Sequence, residues 1–396
     1  MLFAKLNDLS IGGKGSYGIA ASAVERKADL PTYLRITDIF DDGTLNLSEL
    51  KSVDAPNSDK YILKPNDIVF ARTGGSTGRN YFYDGSDGVF VYAGFLIKFS
   101  IDPEKVNPKY VKYYCRSKQY NDWVQSFNTG STRGNINAQT FGNMEIPLPE
   151  RKQQDYLVSI LEPIDEKIKN NKQVNDNLEQ QAQAIYHERF ETVSPNDLPS
   201  DWRIVTLGEV ATISNKNFNP LKEPEILLEH YSIPAFDEAR FPVFELSTSI
   251  KSNKFIIDTS CFMISKLNPT TKRVWKPYCL TGNAVCSTEF IVYKAKDQSI
   301  TDFLYSVIDS GAFSDFMCSH VTGSTGSRQR TTPSDTLSYE LILPSEDELA
   351  EFQSLVSPMY AQMRINAIEN DKLKRLRDSL LPKLMSGEID VSAVQF

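Results

Sequence analysis

Two pairs of polar loops carry side chains that could bind and read a nucleic acid. Glycine lets a backbone approach a phosphate closely, Ser, Thr and Lys can hold phosphate oxygens, and Arg, Asn and Gln can read purine edges. In the first half of the chain the candidate DNA-binding residues are Arg72, Thr73, Ser76, Arg79, Asn80, Ser131, Thr132, Arg133, Asn135 and Asn137. In the second half they are Lys266, Asn268, Thr271, Lys272, Arg273, Ser324, Thr325, Arg328, Gln329 and Arg330.

The same residue types also build ordinary solvated loops, and one loop alone would be interpreted that way. The repetition of these loops is what favours DNA binding. The sequence TGST occurs at 129–132 and again at 322–325, and in each half an apolar run that ends in a cation, Arg72 or Lys266, precedes it. Loops in corresponding places in both halves therefore predict two similar recognition units.

A repeated helix pattern follows each of these units. In residues 150–190 and 345–385, steps of four and three select a stripe, and the two stripes match at an offset of 195 positions. This spacing is typical of a coiled-coil seam. The predicted seam residues are Leu157, Leu161, Ile164, Ile168, Asn171, Asn175, Leu178, Ile185, Phe352, Val356, Met359, Met363, Asn366, Asn370, Leu373 and Leu380. Two amphipathic helices on separate cores are the alternative, but they do not explain why both stripes become polar at equivalent steps.

Four asparagines in the stripes predict how the two helices pair. Polar seam residues weaken a coiled coil but fix its register. In an antiparallel pair, Asn171 and Asn175 can meet Asn366 and Asn370, so that each pair satisfies the amide groups of the other.

Two prolines, Pro163 and Pro358, occupy equivalent places in the stripes. Proline removes a helix hydrogen bond and clashes with the preceding turn. We therefore expect a kink or a restart there, with uninterrupted helix over 164–190 and 359–384, each portion roughly 40 Å long.

The fold class predicted from this repeat is α+β, with two pseudo-symmetric globular domains, each followed by a long helix, and the helices paired as an antiparallel coiled coil. The predicted segments are a recognition domain at 1–149, a spacer helix at 150–190, a linker with the second recognition domain at 191–344, and a spacer helix with a tail at 345–396. Apolar runs predict strands at 67–71, 89–99, 254–265 and 290–293. Shorter helices are predicted at 108–128 and 300–317.

Composition limits the class of protein. The 396 residues suffice for two or three domains. No apolar run approaches the ~18–20 residues that span a bilayer, and the N-terminus lacks a signal segment. Five scattered cysteines without a CxxC pair, together with three histidines, form no zinc set. Free thiols in a reducing cytoplasm are expected.

Several stretches of the chain resemble the specificity subunits of type I restriction–modification systems. Residues 146–154 (IPLPERKQQ) resemble the start of the family's central helix, and residues 198–210 (LPSDWRIVTLGEV) the start of its second recognition domain. Residues 376–389 (LRDSLLPKLMSGEI) resemble its C-terminal helix. Residues 33–39 fit an early strand of the first domain, and Arg35 within them completes the candidate DNA-binding set. Each motif is short, but their order and spacing cover essentially the whole chain.

The resemblance implies a non-catalytic subunit whose two recognition domains each read one half of a split, asymmetric DNA site. It implies two methyltransferase subunits docked on the helices and, through them, restriction and translocase subunits. S-adenosylmethionine, ATP and magnesium are expected on those partners only, with no cofactor on this chain.

The net charge of −8 is unusual for a protein that binds DNA alone, because such proteins usually carry a basic surface. We expect the isolated chain to bind DNA weakly, with phosphate contacts supplied by its partners. The acidic residues assigned to helix surfaces that meet those partners are Glu162, Asp165, Glu166, Asp176, Glu179 and Glu188.

Two other classes of function stay open. Asn107-Pro-Lys-Tyr110 is similar to the Asn-Pro-Pro-Tyr loop with which adenine methyltransferases hold a flipped base, which would suit a stand-alone methyltransferase. It lacks the second proline, a helix start explains it equally well, and no glycine-rich strand–turn–helix is present to hold a cofactor. The second alternative is a coiled-coil scaffold that joins two protein-binding modules.

Overall fold

The computed structural model describes residues 2–47, 49–127, 134–194, 196–323, 329–386 and 388–389. The chain forms two compact units. The first unit comprises Met1–Glu166 with Leu373–Phe396, and the second comprises Lys167–Lys372. The division falls inside both long helices, so each unit includes part of α4 (Arg151–Tyr186) and part of α9 (Glu346–Ser386). The reason is that the end of the last helix packs into the core of the first unit, where Leu381 and Met385 are buried.

The first unit contains short strands, three short helices and the beginning of a long helix. Its strands are β1 (Leu2–Lys5), β2 (Ser16–Tyr17), β3 (Ala23–Val24), β4 (Thr32–Leu34), β5 (Lys51–Val53), β6 (Asp67–Ala71), β7 (Asn80–Tyr83), β8 (Phe90–Tyr92), β9 (Leu96–Ser100) and β10 (Glu145–Leu148). Its helices are α1 (Pro108–Tyr114), α2 (Lys118–Gln125), α3 (Ala138–Gly142) and the start of α4 (Arg151–Tyr186).

The second unit repeats this plan. Its strands are β11 (Arg203–Thr206), β12 (Ala211–Ile213), β13 (Asn217–Phe218), β14 (Leu227–Tyr231), β15 (Val243–Leu246), β16 (Lys254–Ile256), β17 (Cys261–Ser265), β18 (Val274–Trp275), β19 (Ala284–Ser287), β20 (Phe290–Ala295), β21 (Val321–Thr322), β22 (Arg330–Thr331) and β23 (Glu340–Leu343). Its helices are α5 (Leu207–Val210), α6 (Ile233–Ala239), α7 (Thr301–Ile308), α8 (Gly311–Ser319) and most of α9 (Glu346–Ser386).

Strand order shows that the two units share one topology. One sheet has the order β2-β9-β6-β7 in the first unit and β12-β20-β17-β18 in the second. In both units, the first strand pairs antiparallel with the strand that leads into a long helix. The pairs are β1 with β10 and β11 with β23. A parallel pair also recurs, β4 with β8 and β14 with β19. The predicted α+β fold with two similar domains is confirmed.

Some predicted elements are divided in the structure. The helices predicted at 108–128 and 300–317 are each two helices, because Ser117 and Ser310 start new ones. The hydroxyl of Ser117 accepts from the N–H of Tyr120 at 3.3 Å, and that of Ser310 from the N–H of Phe313 at 3.1 Å. Such capping favours a fresh helix start. The runs 89–99 and 254–265 are likewise each two strands, β8 with β9 and β16 with β17.

The expected helix restart at the two prolines is wrong. Helix α4 runs through Pro163 and α9 runs through residue 358, so both begin well before them. A proline removes one backbone hydrogen bond, and here Leu157 and Leu161, on the turns before Pro163, are buried in the core of the first unit and hold the helix there. After Tyr186 the chain continues as a π-helical turn, His187–Glu191.

The long helices pair antiparallel. In the second unit, the amide nitrogen of Asn171 donates to the amide oxygen of Asn370 at 2.9 Å. The amide nitrogen of Asn366 donates to that of Asn175 at 2.8 Å. In the first unit, Leu157 and Leu161 share a core with Leu381 and Met385.

All sixteen predicted seam residues are buried or half-buried. Ala182, the next step of the stripe, is buried, but beyond it the most buried stripe moves by one position to Tyr186 and Phe190, while the predicted Ile185 is half-buried. A straight α-helix drifts away from a 3.5-residue repeat, which explains this departure from the predicted seam. Within the described part of the chain, no helix is long and apolar enough to cross a membrane.

Candidate nucleic-acid interface

The two predicted loops of the first unit lie side by side. Strand β6 ends at Ala71, and the following backbone pairs with the second loop. The carbonyl of Arg72 accepts from the N–H of Ile136 at 2.9 Å, and Thr73 forms an antiparallel bridge with Asn135. Two loops separated by about sixty residues of sequence therefore form one surface at the end of a central strand.

The second unit builds the same arrangement. The carbonyl of Lys266, which follows β17, accepts from the N–H of Thr331 at 3.1 Å. Leu267 forms an antiparallel bridge with Arg330. These contacts are equivalent to those of Arg72 and Thr73, so the loop pairing belongs to the repeated fold.

A turn closes the loop of the second unit. Asn268 has a left-handed backbone with φ of 55°, a conformation that asparagine tolerates better than most residues. Its carbonyl accepts from the N–H of Thr271 at 2.9 Å, and its own N–H donates to Gln329 at 3.0 Å. Asn268 and Gln329 are half-buried and Thr271 is exposed.

Several of the predicted DNA-binding cations already hold a carboxylate. Arg79 donates to Asp41 at 2.6 Å, and Arg273 donates to Asp237 at 2.9 Å, again in equivalent places. Arg330, at the edge of the second loop, donates to Glu289 at 3.0 Å. A phosphate that approaches these guanidinium groups must compete with a carboxylate.

Lys272 is held by a buried acid. Its ammonium lies 2.9 Å from a carboxylate oxygen of Asp309 and donates to the Asp309 carbonyl at 2.7 Å. Burial raises the pKa of Asp309 to about 6, although the charge of Lys272 opposes the shift. Lys272 therefore fastens its loop to the end of α7.

Arg72 and Lys266 differ from these cations. Within the ranges that the structure describes, neither forms an ion pair with a carboxylate, and the two occupy equivalent positions at the ends of β6 and β17. The guanidinium of Arg72 lies 5.1 Å from the centre of the Tyr17 ring, a cation–π contact that leaves its charge unneutralised.

Tyr17 belongs to this surface, although the sequence did not point to it. Its hydroxyl accepts from the N–H of Ala138 at 3.1 Å, so it joins the first strand of the sheet to the start of α3 and supports Arg72. A lone tyrosine in a glycine-rich segment carries no sequence signal for such a role.

Other predicted site residues serve the fold. Arg35 donates to the buried Asp38 at 3.0 Å and to the Glu49 carbonyl at 2.9 Å. Asn80 is buried, and its amide nitrogen donates to the carbonyl of Cys115 at 3.0 Å, which fixes the turn between α1 and α2. These contacts supply structural roles that the sequence did not predict.

Two further predicted residues form turns. Asn137 caps α3 by accepting from the N–H of Thr140 at 2.9 Å. The carbonyl of Ser76 accepts from the N–H of Arg79 at 2.9 Å. The remaining predicted site residues lie outside the described residues: Ser131, Thr132, Arg133, Ser324, Thr325 and Arg328.

Acidic residues on α4 form ion pairs within the chain, whereas the sequence predicted that they would face partner subunits. Asp165 contacts Arg116 at 2.8 Å, Arg377 at 3.0 Å and Lys112 at 3.3 Å. Burial alone would raise the pKa of Asp165, but these three positive charges outweigh it and hold the pKa well below its usual range.

Two more acids of α4 are used in the same way. Glu162 pairs with Lys109 of α1, and Glu179 binds Arg240 through two hydrogen bonds, at 2.7 and 2.8 Å. Part of the negative charge of α4 is therefore neutralised by cations of this chain.

The methyltransferase-like segment is structural. Asn107 caps α1 by accepting from the N–H of Lys109 at 3.0 Å, and its own N–H donates to Gln154 at 2.8 Å. Tyr110 is buried, and its hydroxyl donates to the Pro147 carbonyl at 2.8 Å. A buried, hydrogen-bonded tyrosine cannot stack on a flipped base. No group of three or more potential ligands that could hold a metal ion occurs among the described residues.

The chain is similar to known DNA specificity subunits. A family model, the type I restriction modification DNA specificity domain, matches residues 26–180. The chain is 23% identical to the type I restriction enzyme MjaIX specificity subunit of Methanocaldococcus jannaschii, with 74% of this chain and 71% of that protein covered. It is 22% identical to the type I restriction enzyme HindI specificity subunit of Haemophilus influenzae, with 94% and 98% covered. The crystal structure of a type I restriction–modification S subunit from M. genitalium has the same fold, with a TM-score of 0.56, 16% identity, and 97% and 95% of the chains covered.

Proposed function

We propose that this chain is a specificity subunit of a type I restriction–modification system, the non-catalytic subunit that recognises a split, asymmetric DNA site. The observation that carries this proposal is the loop pair built identically in both units, each with a cation, Arg72 or Lys266, that has no carboxylate partner among the described residues. A cation without a carboxylate partner can bind a phosphate, and the polar side chains of the adjoining loops can bind phosphates or base edges.

The partners follow from that role. Two methyltransferase subunits dock on the paired helices and bring restriction and translocase subunits with them. S-adenosylmethionine, ATP and magnesium bind to those subunits, and this chain recognises the DNA sequence at which they act. The two loops differ in sequence between the units, so the two half-sites differ as well.

The charge of the chain sets the expected affinity. The net charge is −8, and among the described loop residues Arg79, Arg273 and Arg330 are each paired to a carboxylate, which leaves few of those loop cations unpaired for phosphates. Affinity for DNA depends strongly on the number of phosphates neutralised. The assembled complex should therefore bind duplex DNA much more tightly than the isolated chain.

Methylome sequencing tests the proposal. Cells that produce the full chain together with its methyltransferase should carry a split methylated motif that disappears without the chain. Arg72→Ala should relax the first half of the motif and Lys266→Ala the second, each by roughly 1–3 kcal/mol for a base contact. Lys51→Ala, which removes a cation paired with Glu25 away from the loops, is the matched control. Loss of preference in both halves from a single substitution would overturn the assignment.

A further inference from the structure

A cavity of about 960 Å³ opens beside the first loop pair. One wall is the backbone of the loop between β6 and β7, with Thr77 and Arg79. The other wall is α2, with Asn121 and Gln125 one helical turn apart. Helix α2 therefore turns a polar face to this cavity, outside the loops that the sequence predicts to bind DNA.

The polar side chains of Thr77 and Arg79, on the loop wall of the cavity, already form hydrogen bonds within the chain. The hydroxyl of Thr77 donates to the carbonyls of Gly74 at 2.8 Å and Gly134 at 2.9 Å. Arg79 donates to Asp41 and to the carbonyl of Ile39 at 3.1 Å. These groups shape the cavity, and a ligand would have to break existing contacts to engage them.

Asn121 is in the opposite situation. It is exposed, it lines the cavity, and within the described ranges its amide group has no hydrogen-bond partner. An amide offers a donor and an acceptor side by side, the pattern that matches N7 and the N6 amino group of adenine in the major groove.

Helix α2 holds Asn121 rigidly against the loop. The hydroxyl of Tyr120 donates to the Gly78 carbonyl at 2.5 Å. Val124 packs under Gly78, where an added Cβ would lie 2.4 Å from a Val124 methyl carbon. These two contacts fix the backbone position of Asn121 before any DNA arrives, while its amide stays available to a base edge.

The second unit lacks this feature. Counted from the capping residues Ser117 and Ser310, the positions of α8 equivalent to Asn121 and Gln125 hold Ser314 and Cys318. The buried positions are kept, since Tyr120 corresponds to Phe313. The fold is therefore repeated while the exposed chemistry changes, as expected where two units read different sequences.

We propose that Asn121 is a specificity-determining residue of the first unit, which reads an adenine of the first half-site through its amide group. This rests on the proposed function. The predicted loops do not include Asn121, because it lies on helix α2.

The first test compares motifs. Asn121→Ala should lower discrimination at one adenine of the first half-motif by about tenfold or more and leave the second half-motif unchanged. Gln119→Ala, an exposed amide of the same helix that does not line the cavity, is the control and should change nothing. Because the Asn121 amide forms no hydrogen bond within the described ranges, Asn121→Ala should have the same melting temperature as the wild type.

The second test identifies the contacted atom. The assembled complex is measured on DNA with 7-deazaadenine, which lacks N7, at each adenine of the first half-site. At one position the analogue should weaken the wild type and have no effect on Asn121→Ala. Additive losses, or an Asn121→Ala motif identical to that of the wild type, would overturn the inference while the proposed function stands. A wild-type chain that directs no split motif would overturn both.

Discussion

At the scale of single residues, the loop cations fall into two groups that the sequence cannot distinguish. Arg79 and Arg273 are each held by a carboxylate, from Asp41 and Asp237, whereas Arg72 and Lys266 have no such partner in the described part of the chain. A carboxylate beside an arginine weakens its attraction for phosphate, so these pairs suppress binding to DNA of any sequence.

Removing one of these carboxylates should therefore strengthen non-specific binding. Asp41→Asn frees the Arg79 guanidinium at little cost in stability, because exposed ion pairs contribute about 0–1 kcal/mol. The slope of log affinity against log salt for a non-cognate duplex should steepen by about one unit in the assembled complex. Asp29→Asn, an equal charge change away from the loops, is the control. An unchanged slope for Asp41→Asn would show that Arg79 does not approach phosphate.

Asp309 gives the second unit a predictable pH dependence. Its pKa of about 6 in the folded chain lies above the ordinary aspartate value of about 3.9, so the folded state binds more protons between these values. The contribution of Asp309 to stability should therefore fall as pH rises from about 4 to 6, by an amount on the order of 3 kcal/mol. Asp309→Asn should flatten this portion of a melting-temperature profile. Equal slopes in the variant and the wild type would contradict the assignment.

At the scale of elements, the sequence predicted the long helices and the repeated strands because their apolar periodicity is regular. Strands β6 and β20 lie where they were expected, and the seam asparagines meet. Breaks inside helical stretches were missed, since Ser117 and Ser310 act through a single capping bond each. The bonds of Arg35 and Asn80 to distant residues depend on tertiary structure, and no local pattern reveals them.

The asparagine pairs in the helix seam allow a test by double substitution. Asn171→Leu leaves the nearly buried amide of Asn370 without its partner and should cost about 1–3 kcal/mol. Asn370→Leu on its own should behave similarly. The double variant should recover much of the loss, because two leucines restore an apolar seam.

The readout is the coupling energy from urea denaturation of the full chain. Leucine at all four positions, with Asn175 and Asn366 included, should raise the melting temperature and yield more than one assembly state, because the polar contacts that fix the register are gone. A homogeneous assembly from that variant would argue against a register role for the asparagines.

At the scale of the whole molecule, one fold is used twice with different surface chemistry. The pairing of each β6-type strand with its second loop recurs at Arg72 and Lys266, and so does the capped helix that follows. The exposed residues on that helix do not recur, as Asn121 and Ser314 show. Repetition of the core with divergence at the edges is the pattern expected of two units that read unlike half-sites.

The paired helices can be tested as the element that sets the gap between the half-sites. The asparagine pairs place residues 169 and 372 opposite one another, two positions beyond Asn171 and Asn370. Inserting one heptad after Lys169 and another after Asp371 therefore keeps the register of all four asparagines and the phase of both seams. Each helix lengthens by about 10 Å. At roughly 3.4 Å per base pair, the unread gap in the methylated motif should grow by about three pairs, with both half-motifs unchanged. Two-residue insertions at the same sites rotate each continuing helix face by about 200° and take both seams out of phase; they are the control and should abolish methylation. Robust methylation at the original spacing after the heptad insertions would show that the helices do not set this distance.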